Sequence, residues 1–182
     1  MGENRKNFII SAIGFHVILL WGVMFKFSWT DHLSIWEQQM FTIAERFEMG
    51  LVFVSPFISR GEVIVDMVLN CLIFIPSGIY LCGLMKWWKA WLCGLCLTLS
   101  VEFSQLIFAL GGFSISDVLF NFVGAGMGVL LFKACLCRVN SKIWDKVNRV
   151  TAILFSAISV CAIVSVIIVF PKYYEWVKRG SL

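Results

Sequence analysis

The sequence predicts an all-α integral membrane protein, a small polytopic bundle of about five transmembrane helices. Three observations predict it. Of 182 residues, 60% are hydrophobic and only 14% charged, whereas soluble domains run to about 45–50% apolar and about 25% charged. The apolar residues form continuous runs rather than alternating, which suits helices and not the strands of a membrane barrel. Each run is close to the roughly 20 residues that a helix needs to cross a bilayer. Disorder is excluded by the wealth of Phe, Leu, Ile and Val, and no length is left for a separate soluble domain. Residues 1–182 are read as one membrane domain.

The runs cover 8–27, 63–84, 88–110, 113–134 and 150–170. The first follows Arg5 and Lys6, as a secretory signal would, but Phe25-Lys26-Phe27-Ser28-Trp29 offers no small-residue cleavage site. It is expected to be a retained helix. Trp29, Trp87, Trp88, Trp91, Trp144 and the stretch Tyr173 to Trp176 flank the runs as interfacial aromatics do. Arg5, Lys6, Lys86, Lys89, Lys133, Arg138, Lys142, Lys146 and Arg149 fall on one side of the predicted bundle. The loop 28–62 on the other side sets Arg46 and Arg60 against Asp31, Glu37, Glu45, Glu48 and Glu62. The positive-inside rule then places the N-terminus in the cytoplasm, the 28–62 loop outside and, with five spans, the C-terminus outside. Lys172, Lys178 and Arg179 dissent, and the earlier loops outvote them.

In the outer loop, Ser34-Ile35-Trp36-Glu37 has the form of a capping box. Leu33, Trp36, Met40, Ala44, Phe47 and Leu51 follow at helical spacing. A short amphipathic helix is expected, lying on the membrane surface or packed on the spans. The segment 138–149 sets Val139, Ile143 and Val147 against Arg138, Lys142, Lys146 and Arg149; it reads as a basic cytoplasmic segment facing anionic lipid or as a topology signal alone. None of the seven cysteines falls in the outer loop, where a disulfide would be expected. Cys93 and Cys96 are expected to be buried small hydrophobes. His16 is expected to hydrogen-bond between helices.

The informative residues are polar groups within the runs. Asp66 and Asn70 precede Phe74-Ile75-Pro76-Ser77-Gly78; Glu102 and Gln105 lie on the third run; Asp117 and Asn121 precede Gly124, Gly126 and Gly128. Spacings of four and three put each pair on one helix face. An Asp at a helix centre costs about 2.5–3.5 kcal/mol on insertion scales, so such groups face a bundle interior or a wet cavity. A rise of about 1.5 Å per residue sets Asn70, Asn121 and Glu102 about 12 Å beneath the outer face, and Asp66 and Asp117 about 6 Å beneath it. One shared polar site opening outward is expected. Asp66-x-x-x-Asn70 and Asp117-x-x-x-Asn121 also form a short internal repeat, and Pro76 should bend its helix. The glycines read as places of close helix approach. Lys26, Arg46 and Arg60 are the nearest cationic partners for the acids. Such a pocket suits a cationic or hydroxyl-rich head group, a divalent ion or a proton relay, and hydrogen bonding between helices alone is the plainer use. No paired-His metal motif, phosphate loop or Ser/Cys–His pair is present, so neither a cofactor nor a metal nor a nucleic acid is expected. Membrane lipid is the expected partner.

The ordered series Asn70-x-x-x-Phe74-Ile75-Pro76-x-Gly78, Glu102-x-x-Gln105-Leu106-Ile107-Phe108-Ala109-x-Gly111 and Ile115-x-Asp117-x-x-x-Asn121-x-x-Gly124 resembles the VanZ-like family. Ser55-Pro56-Phe57 and Trp21-x-x-x-Phe25-Lys26 extend the likeness, which covers about residues 15–135. Many members carry an Arg shortly before the Asp of the fourth span, where this chain has Gly111 and Gly112. The resemblance implies a multi-pass protein of the bacterial plasma membrane, accessory to glycopeptide resistance. It implies low-level teicoplanin resistance without replacement of the D-Ala-D-Ala terminus. Three activities follow as expectations. The pocket binds a lipid-linked cell-wall precursor or teicoplanin itself, whose acyl chain suits a membrane-facing site; or Asp66, Glu102 and Asp117 catalyse modification of a lipid-linked precursor; or the bundle transports a lipid or solute.

Overall fold

The computed structural model describes residues 3–24, 42–51, 60–108 and 113–180. All regular structure among them is helical: α1 (Glu3–Met24), α2 (Ile43–Gly50), α3 (Arg60–Leu84), α4 (Trp87–Phe108), α5 (Ile115–Ala134), a 3-10 turn (Leu136–Arg138) and α6 (Ser141–Gly180). Four stretches are long and apolar enough to cross a membrane: Ile64–Leu84, Trp87–Ile107, Ile115–Arg138 and Lys142–Val164. The first predicted run is helical in α1, yet α1 is not among these four.

Contacts divide the chain into two units, 22–139 and 1–21 with 140–182. In the first unit, α3 and α5 run parallel, because Gly124 faces Cys71 and Gly128 faces Ile75. A Cβ on Gly78 would collide with the Ala125 carbonyl, and one on Gly124 with the Cys71 carbonyl. Bare backbone is therefore what lets these two helices touch, as small residues do in membrane bundles. Connected between them, α4 runs back the other way. It packs Gly94 3.1 Å from the Ala125 Cβ (measured from where a Gly94 Cβ would stand) and sets Trp91 edge-on to Phe122, centroids 5.3 Å apart. Its buried stripe is Ala90, Gly94, Thr98, Val101, Glu102, Gln105 and Leu106. Helix α3 continues through Pro76, next to the wholly buried Ser77.

In the second unit α1 and α6 are also parallel. Asn4 donates to Asp145 at 2.6 Å, Ser11 to Thr151 at 2.8 Å, and Ser159 to the Gly14 carbonyl at 2.9 Å. Phe8 packs on Trp144 and Phe15 on Phe155, with centroids 6.0 and 5.8 Å apart.

Several expectations are corrected. The basic segment and the last run are one continuous 40-residue helix, since nothing at 141–150 breaks it. Cys93 and Cys96 are exposed, on the face of α4 opposite its buried stripe. The capping box that starts α2 is Thr42 with Glu45; the expected box at Ser34 lies outside the described residues.

Candidate functional site

The polar residues gather at the end of the first unit where α3 and α5 begin and α4 finishes. Helix α5 starts because Ser114, in extended conformation, accepts the Asp117 amide on its hydroxyl at 3.3 Å. The Ser114 amide, which the helix cannot satisfy itself, donates at 3.0 Å to Glu102 Oε2 of α4. Glu102 is 1% exposed. A buried carboxyl group thus spans α4 and α5 at the positive end of the α5 dipole. Asp117, half-buried, sits in the same first turn.

On α3, Asn70 is buried and donates to Asp66 Oδ2 at 3.3 Å. The packing register explains the repeat. Residues that touch across the two helices lie 47 to 53 apart, from Gly78 with Ala125 to Gly124 with Cys71, and the Asp and Asn positions recur at 51 (66 to 117, 70 to 121), in the middle of that range. The two motifs therefore lie side by side on parallel helices. Asn121 comes level with Asn70.

The common depth expected for Glu102 and Asn121 is not observed. Glu102 reaches Ser114, seven residues before Asn121, so its carboxylate lies about 10 Å nearer the end of α5. The packing of Gly94 against Ala125 sets it there. Level with Asn121, to within a turn, is Thr98 of α4. Asn121 Oδ1 and Thr98 Oγ1 are both buried without a hydrogen-bond partner. Buried polar atoms are nearly always satisfied, and Thr98 was not singled out from the sequence.

Of the three cations considered, Lys26 and the side chain of Arg60 lie outside the described residues. Arg46 does not: it is 8% exposed on α2, which rests on α4. The neighbouring Phe47 packs on Phe113 (4.9 Å between centroids), and Phe113 packs on Phe103 (5.7 Å). Arg46 Nε and Nη1 have no hydrogen-bond partner. The opposite end of this unit carries Lys89 over Trp88 and Lys133 over Trp87, at 5.4 and 4.9 Å from the ring centroids. Among the described residues, one end is acidic with an enclosed guanidinium on a short helix; the other is basic and aromatic.

These residues lie inside the stretch, 13–138, that matches the VanZ/LLP1 family profile. The chain belongs to the VanZ/LLP1 family. It is similar to Protein VanZ of Enterococcus faecium, 30% identical over 141 residues that cover 76% of this chain and 81% of that protein. No solved structure matches it. The VanZ/LLP1 match takes in the whole α3–α4–α5 bundle and α2, and ends at the 3-10 turn before α6. Apolar helices and family together make this a multi-pass membrane protein.

Proposed function

We propose that this protein lowers teicoplanin susceptibility from the bacterial plasma membrane, through a polar site that faces outward and takes a lipid-linked or lipoglycopeptide ligand. The observation that carries it is the pairing of Asp66 and Asn70 with Asp117 and Asn121 across the parallel α3 and α5, beside an Asn121 oxygen left without a partner. Polar groups at that depth are costly in a membrane and tend to mark function. Kinship with the Enterococcus protein supports the resistance role. The basic end at Lys89 and Lys133 supports an outward orientation of the acidic end. A five-span bundle is supported by α1 running parallel to α6, itself long and apolar enough to cross.

Binding is favoured over catalysis by Glu102, whose Oε2 is already committed to the Ser114 amide. The protein is to be expressed in a susceptible Gram-positive host, with teicoplanin and vancomycin susceptibility measured alongside membrane abundance. Wild type should raise the teicoplanin inhibitory concentration, and Asp66→Asn, Asp117→Asn and Asn121→Leu should each abolish the rise at equal abundance. Unchanged susceptibility with abundant wild-type protein removes the reading.

A further inference from the structure

Arg46 is the group that the site, as described so far, does not use. Its guanidinium stays charged at any physiological pH, so burial cannot be relieved by loss of a proton. A buried charge without a partner costs several kcal/mol, and Nε and Nη1 have neither solvent nor a hydrogen-bond acceptor. Both N–H groups are charge-assisted donors, the kind that holds an oxyanion.

The surroundings say which oxyanion. Ile43, Met49 and Leu51, on and just beyond α2, expose large apolar side chains, while Phe47 ties the helix to Phe113 at the very start of α5. A short helix with apolar side chains turned outward at the end of a membrane bundle lies at head-group depth. Phosphate esters are the abundant anions there. We infer that Arg46 anchors the phosphate ester of a membrane lipid at the end of the bundle where α4 stops and α5 begins. The anion accepts from the Nε–H and Nη1–H groups that nothing else in the protein satisfies. This inference deepens the function proposed above by naming the chemical group the ligand presents.

The test uses the purified full chain in detergent and native mass spectrometry. Phosphatidylglycerol and polyprenyl phosphate are compared with a diacylglycerol of the same acyl chains, and inorganic phosphate is added as competitor. Wild type should retain either phosphate lipid about tenfold better than the diacylglycerol, the advantage expected of a charge-assisted pair. Arg46→Gln should lose that advantage, and Arg46→Lys, which keeps the charge without the guanidinium, should keep only part of it. Phosphorus NMR of lipid retained by the wild type should show a shifted, broadened resonance. Equal retention of the diacylglycerol, full retention by Arg46→Gln, or a free-lipid spectrum overturns the assignment. Displacement by inorganic phosphate overturns the lipid as source. Phosphate-dependent retention in a protein that leaves teicoplanin susceptibility unchanged would sink the resistance reading and leave this one standing.

Discussion

The α3–α5 seam and the α1–α6 seam join helices that run in parallel, and they do so by opposite means. In the first, Gly78, Gly124 and Gly128 let one backbone lie against the other. In the second, Ser11, Thr151 and Ser159 bridge the gap with hydroxyls while Phe15 and Phe155 fill it. Lipid removes most of the hydrophobic drive between helices, leaving packing and hydrogen bonds. The seam that carries the polar repeat is the one where three glycines bring backbone against backbone. Asp66, Asn70, Asp117 and Asn121 are aligned by a contact that cannot stretch.

The largest effect should come from breaking that contact. Gly124→Ala places a methyl into the Cys71 carbonyl. Overpacking of this kind costs about 1–3 kcal/mol, and a rigid backbone neighbour puts it at the upper end, beyond the roughly 1 kcal/mol that Ala gains over Gly in helix propensity. Reversible unfolding in mixed micelles should show the loss, and a neutral Gly124→Ala would mean the helices can slide apart. Gly14→Ala on the other seam meets the Phe155 Cβ at 2.9 Å and its carbonyl carbon at 3.0 Å, atoms that move only with the backbone. The overlap is shallower than at Gly124, so the cost should sit at the lower end of the same range of about 1–3 kcal/mol, much of it offset by the propensity gain. Ser159→Ala, which removes a bridge to Gly14, should cost about 0.6 kcal/mol by the same assay.

The smallest effect belongs to α2, which neither seam holds. The Thr42 amide and hydroxyl keep the Glu45 carboxyl below the usual carboxylate range. A carboxyl whose folded value is depressed stabilises above its unfolded value, and that contribution is lost as pH falls through the folded one. Protection from hydrogen exchange over 43–50, relative to the intrinsic rate at each pH, should therefore fall on acidification below about pH 4, while in Glu45→Gln it should not change with pH. An acid response that survives Glu45→Gln would assign it to another group.

Much of this was legible beforehand. Helix bounds in α3, α4 and α5 follow the apolar runs to within a few residues, because length and hydropathy are local properties. The Asp/Asn repeat and the glycines likewise announce a paired seam. Arg46 could be named as a cation but not as buried, since its enclosure depends on Phe47 meeting Phe113 some sixty residues away in sequence. Thr98 was silent for the same reason: a threonine in an apolar helix signals nothing until the neighbouring helix leaves its hydroxyl unpaired. Glu102 was placed at the wrong depth because rise per residue does not give the register between helices: Gly94 against Ala125 and Trp91 against Phe122 set residue 102 beside the first turn of α5.

That bond between Glu102 and the head of α5 has a consequence for biogenesis. Were α4 to leave the translocon alone, Glu102 would enter lipid without the Ser114 amide. Entry of α4 and α5 together, as a hairpin, would bring the two groups to each other on arrival.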